Sequence, residues 1–101
     1  MTTLYVAGPM TGYPDFNYPA FNEAARALVH CGFHVLNPAR RGTRDEWTWV
    51  DYMRPALRDV ADCDGIAVLP GWERSKGAAL EVSIAVALDL PVRTVDEWRA
   101  Q

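Results

Sequence analysis

A serine, a glycine and a glutamate stand at positions 75, 77 and 81, around the start of a predicted helix. Ser75 suits the N-cap, where a hydroxyl accepts a bond from a first-turn amide. The amides near Lys76, Gly77 and Ala78 have no partner within the helix, and with the helix dipole they favour an anion. Gly77 removes a side chain that would obstruct close approach. The plain alternative is a capped helix with no ligand. Glu81 lies in the second turn among Ala78, Ala79, Leu80, Val82, Ile84 and Ala85. An acid in so apolar a helix either sits on a solvent stripe or is held against the sheet. In the second case a partly desolvated carboxylate is suited to act as a nucleophile or base. The residues alone leave both open.

A second segment, Tyr5-Val6-Ala7-Gly8-Pro9-Met10-Thr11-Gly12, joins a short apolar run to a turn. Its glycines let backbone approach a ligand, but it is neither a G-x-G-x-x-G fingerprint nor a P-loop, and an ordinary turn is as good a reading. Arg40, Arg41 and Arg44 form a basic patch, either solvated or in contact with a phosphate or carboxylate. Asp64 is expected to be structural, at the end of a helix. Asp51, Asp59 and Asp62 are read as mostly solvated. His30 and His34 lie apart from any acidic or cysteine cluster, so neither a metal nor a cofactor is expected. Cys31 and Cys63 have no metal-binding spacing and are read as two buried thiols.

These residues need elements to hold them. Residues 4–7 read as a buried strand stopped by Gly8-Pro9. A helix follows, with Asn17 or Tyr18 near its cap, Pro19 in its first turn and Gly32 after its end. Residues 33–36 form a second strand and residues 39–45 a loop. Trp47, Val50, Met53, Leu57, Val60 and Ala61 mark a helical face interrupted by Pro55, which predicts a kink or two pieces. Residues 66–69 form a third strand, 77–88 a helix and 91–95 a fourth strand, and Asp96 caps a last short helix. Alternating strands and helices imply parallel β-α-β units, and apolar strands imply a sheet covered on both faces. Ligands bind beyond the strand C-termini in such sheets, which selects the loops 8–15, 37–45 and 70–76.

The 101 residues are enough for one domain, 1–101, and half are hydrophobic. A formal charge of -3 argues against a nucleic-acid polymer or an anionic membrane as partner, yet leaves room for a small phosphorylated ligand. No signal-peptide pattern and no spanning apolar run is present, so a cytoplasmic protein is expected.

At these residues the chain resembles the nucleoside 2-deoxyribosyltransferase superfamily, and more closely a small phage and bacterial branch of undefined function. The likeness runs over nearly the whole chain. Besides the opening segment its carriers are Pro19-Ala20-Phe21-Asn22, Asn37-Pro38-Ala39, Trp49-x-x-Tyr52-Met53-Arg54, Cys63-Asp64-Gly65-Ile66, Leu69-Pro70-Gly71-Trp72 and Ser75-x-Gly77-x-x-x-Glu81. It implies a three-layer α/β sandwich, flavodoxin- or Rossmann-like, with a parallel sheet of four or five strands. It also implies cleavage or transfer at the N-glycosidic bond of a 2-deoxynucleoside or its 5-monophosphate, a small-molecule substrate. Glu81 matches the glutamate that attacks the anomeric carbon and forms a glycosyl-enzyme intermediate. Ser75 and Gly77 match positions that contact the 5-phosphate. Tyr5, Gly8, Pro9 and Met10 fall in the motif lining the base and sugar pocket, with Pro9 where nucleotide-hydrolysing members carry a serine.

One departure bears on mechanism. Close relatives read Met-Arg-x-Asp-Leu where this chain reads Met53-Arg54-Pro55-Ala56-Leu57, so the superfamily's second acid falls on Ala56. Acid–base assistance contributes about 10²–10⁴-fold. The readings are a slow enzyme, an enzyme using another acid such as Asp51 or Asp59, and a non-catalytic nucleotide-binding module. An interaction protein with a vestigial pocket, using the tryptophans at 47, 49, 72 and 98, is a further alternative. The resemblance and the small size both imply a homo-oligomer.

Overall fold

The structure is a computed structural model that describes residues 1–101. Four strands, β1 (Thr3–Ala7), β2 (His34–Leu36), β3 (Gly65–Val68) and β4 (Val92–Thr94), alternate with four helices, α1 (Tyr18–His30), α2 (Trp49–Asp62), α3 (Lys76–Ala87) and α4 (Val95–Arg99). The sheet order is β2-β1-β3-β4 and every pair is parallel. This is the expected α/β sandwich, with four strands. Between β1 and β3 the chain's direction of travel across the sheet reverses, which opens a crevice beyond their C-terminal ends.

The strand period of two decides which face each β1 side chain serves. Tyr5 and Ala7 join a core with Ala56 and Val60 of α2 and Ala78, Val82 and Ala85 of α3. Leu4 and Val6 join Phe21, Ala24 and Leu28 of α1 and Trp98 of α4 on the other face. A fully buried Leu or Phe contributes about 1.5–3 kcal/mol. Trp98 closes the second core. Its Nε1 donates to the Ile66 carbonyl at 2.7 Å, and its ring fills the space over Gly65, where a Cβ would lie 2.7 Å from it.

Several expectations need correction. Helix α2 is one piece, although Pro55 cannot donate to the Asp51 carbonyl. A capping box between Thr48 and Asp51 secures its start, and Met53, Ala56 and Val60 bury one stripe along it. Trp47 lies before the helix. Asn17 stands at the cap position of α1, as expected; its side chain makes no bond to the helix, and its Nδ2 donates instead to the Pro9 carbonyl at 2.9 Å. The segment 39–45 is a loop only in part, because Pro38–Arg41 makes a 3-10 turn opened by Asn37, which accepts from the Ala39 amide. Cys31 is exposed, since it follows α1 at the surface; only Cys63 is buried. Asp64 is structural in a different way. Its carboxylate accepts from the Thr3 amide at 2.8 Å and its own amide donates to the Thr3 carbonyl, which ties the start of β1.

Candidate active site

Ser75 caps α3. Its Oγ accepts from the Ala78 amide at 3.2 Å, and this fixes the helix start beyond the end of β3. Two turns are then enough to bring Glu81 back over the sheet. It is the one charged residue in the buried core, 6 % exposed, although it sits in a helix that is apolar on every side. A buried carboxyl without a partner would be costly, and the partner comes from β1. The phenol of Tyr5, itself 1 % exposed, donates to Glu81 Oε2. Burial raises the Glu81 carboxyl to about 7; the Tyr5 bond and the Arg41 guanidinium act against this rise, and the Asp59 charge adds to it. Burial, then the neighbouring Glu81, push the Tyr5 phenol well above its ordinary range, so it remains a donor.

The pair lies on the wall of a cavity of about 760 Å³ at the C-terminal edge of the sheet. Tyr5, Gly8, Pro9, Met10, Ser75, Gly77 and Glu81 all line it, as does Ala56. The reason for glycine at two of these positions is packing. A Cβ on Gly8 would stand 2.7 Å from Leu69 Cβ, where the chain leaving β1 crosses close to the end of β3. A Cβ on Gly77 would stand 3.2 Å from Met53 Sδ, so this glycine lets α3 approach α2 as well as leaving its amide open.

The three arginines of the basic patch separate. Arg40 is exposed. Arg44 stacks over Trp47 at 4.6 Å, and its amide donates to the Tyr52 hydroxyl. Arg41 alone lines the cavity, in an ion pair with Asp59 of α2. Asp51 is committed to the capping box, where it accepts from the Thr48 amide at 2.9 Å. Of the two acids proposed to replace the one missing at Ala56, only Asp59 therefore stands near Glu81, and it is already paired.

Other lining residues were not singled out in the sequence, although Tyr13 and Arg74 lie in the selected loops 8–15 and 70–76. Tyr13, Phe16 and Tyr18 reach the cavity because Asp15, Phe16 and Asn17 take left-handed backbone angles, with φ of 52°, 53° and 61°. Such a run is uncommon outside glycine, and the Asn17 bond to Pro9 braces it. The cluster Tyr13-Pro14-Asp15-Phe16-Asn17-Tyr18-Pro19, dense in aromatics and turn formers, was the available signal. At the opposite rim the Lys76 ammonium lies 4.1 Å over the Trp49 ring, a cation–π contact between α3 and α2. Arg74 also lines the cavity. No group of three or more His, Cys, Asp or Glu side chains is placed to hold a metal ion, and no helix is long and apolar enough to cross a membrane.

Comparison with known proteins adds to this geometry. A family model described as a domain of unknown function (DUF4406) matches residues 2–94. A 2-deoxyribosyltransferase of Leishmania mexicana superposes with a TM-score of 0.71 at 22 % identity, over 93 % of this chain and 63 % of its own. A 2-deoxyribosyltransferase of Bacillus psychrosaccharolyticus superposes with a TM-score of 0.71 at 16 % identity, over 90 % of this chain and 69 % of its own. The fold is thus that of the 2-deoxyribosyltransferases. A β-galactosidase of Arthrobacter sp. (strain B7) is 31 % identical over 83 residues, which is 78 % of this chain but 8 % of that protein. The chain spans under two thirds of the Leishmania protein and a small fraction of the galactosidase.

Proposed function

The chain belongs to the DUF4406 family, and from the fold it shares with the 2-deoxyribosyltransferases and the placement of Glu81 we propose that it cleaves or transfers the N-glycosidic bond of a 2-deoxynucleoside or its 5-monophosphate. The observation that carries the reading is the buried Tyr5–Glu81 pair on the cavity wall. A carboxyl titrating near 7 is ionised in a useful fraction at neutral pH. Tyr5 holds Oε2 and leaves the other oxygen free. That oxygen attacks C1′, the C1′–N bond breaks, and a deoxyribosyl ester of Glu81 forms. Water or a second base then attacks C1′ from the vacated side, with net retention. The Ser75 hydroxyl and the first-turn amides of α3, with Arg74 and Lys76 nearby, suit a 5-phosphate. The aromatic wall of Tyr13, Phe16 and Tyr18 suits the flat face of a base.

The test is incubation with a panel of deoxynucleosides and their monophosphates, with and without an acceptor base, against a Glu81→Ala control. Base release or exchange that depends on Glu81 supports the reading, and none above the control rejects it. Ala56 motivates a second reading, a nucleotide-binding module without turnover. Saturable binding in calorimetry with no base release would favour it.

The reading includes residues 1–101 working as one domain, as a cytoplasmic homo-oligomer. Support for assembly comes from the outer end of α3, where Val86 and Leu88 are 60 % and 50 % exposed. Sedimentation as a monomer at micromolar concentration would remove that part.

A further inference from the structure

The missing second acid raises the question of what takes the negative charge of the departing base. We infer that Arg41 does so, by donating hydrogen bonds to the carbonyl oxygen beside the glycosidic nitrogen, and that this makes pyrimidine deoxynucleosides, which carry such an oxygen, the preferred substrates. The inference rests on the glycosidic reading above and deepens it.

Arg41 lines the same cavity as Tyr5, Ala56 and Glu81, and its charge bears on both Tyr5 and Glu81. It extends from the 3-10 turn after β2 to α2, where it pairs with Asp59. Asp59 fixes it. That acid lies three residues after Ala56, on the same face of α2, so the position where the resemblance places a second acid sits beside one that anchors a guanidinium. The pair is about one quarter exposed at each end, with side-chain values of 27 % and 28 %. Only one guanidinium nitrogen, Nη2, meets an acceptor of the chain. A guanidinium has five N–H donors in a fixed fork, so others remain for a ligand.

Arginine does not surrender a proton near neutral pH, so it cannot act as the general acid. It can stabilise an anion. As Glu81 forms its bond to C1′ and the C1′–N bond breaks, the electron pair stays with the base nitrogen. It delocalises onto the adjacent carbonyl oxygen, where the Arg41 N–H groups receive it. The base takes its proton from water after release. Asp59 is a positioning residue, which holds the fork and keeps the guanidinium from pairing with Glu81 instead.

The experiment is a leaving-group series: thymidine, 2-deoxyuridine, 5-fluoro-2-deoxyuridine and a nitrophenyl 2-deoxyriboside, with the corresponding 5-monophosphates of the first three and with deoxyadenosine as the purine comparison. Wild type should release pyrimidines faster than adenine from deoxyadenosine. Arg41→Ala should lose about 10²–10³-fold in kcat with thymidine, the usual scale for one electrostatic donor. The loss should shrink steadily as the leaving group becomes more acidic, so that the rate depends more steeply on leaving-group pKa. Asp59→Asn should show the same trend to a smaller degree, and Arg41→Lys should recover part of it. Release of the nitrophenol by the variants also reports that they are folded. Adenine release as fast as pyrimidine release by the wild type, an equal loss on every substrate, or a loss confined to the monophosphates would overturn the inference, the last by placing Arg41 at the phosphate. Absence of Glu81-dependent release from all substrates, the nitrophenyl compound included, would instead reject the glycosidic reading itself.

Discussion

The Tyr5 phenol and the Glu81 carboxyl, 76 positions apart in the chain, meet in a buried hydrogen bond on the wall of the cavity. Burial and this bond act in opposite directions on how Glu81 titrates. Burial drives its carboxyl up to about 7, and the Tyr5 donor is the largest influence opposing that rise. A nucleophile must be ionised, so kcat/KM should climb with pH and level off above about 7. Tyr5→Phe removes the opposing donor and should move the rise to higher pH, lowering activity at neutral pH most and recovering it in alkaline buffer. A pH–rate profile of the two proteins checks this; an unmoved or acid-shifted profile contradicts it.

The same shift makes stability depend on pH. A carboxyl whose folded value is raised binds its proton more tightly in the folded chain than in the unfolded one. Its contribution is complete below about 4.5, declines as pH rises toward 7, and is gone above it. The span corresponds to roughly 3 kcal/mol. Glu81→Gln keeps the shape without the charge. It should therefore be more stable than wild type above pH 7 and lose that advantage toward pH 4.5, while retaining less than about one part in 10³ of the activity. Urea titrations at several pH values give the difference curve, in which the other carboxylates cancel.

Gly8→Ala should destabilise. The new methyl would meet Leu69 Cβ at 2.7 Å, and a Cβ atom moves only with its backbone. Overpacking of this kind costs about 1–3 kcal/mol. For a domain of this size each kcal/mol lowers Tm by about 4–8 °C. Thermal unfolding measures it. A Tm within 2–3 °C or so of wild type would mean that β1 and β3 can separate more easily than their packing indicates.

Ser75→Ala should act twice. Loss of the bond from the Ala78 amide costs about 1 kcal/mol of stability. Loss of the hydroxyl should raise KM for a 5-monophosphate while leaving KM for the free nucleoside nearly unchanged, since only the phosphate reaches the start of α3 in the proposed pose. Equal effects on both substrates would place the phosphate elsewhere.

The four strands, the order of elements and the sheet edge where the cavity lies were legible because local patterns specify them. Apolar runs ended by Gly-Pro, Asn-Pro and Pro-Gly mark buried strands, and Ser75 marks a helix start whether or not anything binds there. Pro55 does not split α2 in two, because its local cost is outweighed by a capping box and a buried stripe that only the folded chain assembles. Cys31 misled, since hydrophobic character does not tell which side of a helix end faces water.

What the sequence by itself determined is a parallel α/β framework with Glu81 near a helix start at its C-terminal edge. Its turn residues, strand runs and caps act over a few positions, and such short-range preferences can be read without knowing the neighbours in space. The tertiary structure decided which face Glu81 takes, that Tyr5 is its partner, that Arg41 rather than Arg40 or Arg44 enters the cavity, and that Asp59 holds it. Each of these is a contact between distant segments. Its energy depends on burial and on the charges brought near, and neither exists until the sheet and helices have packed.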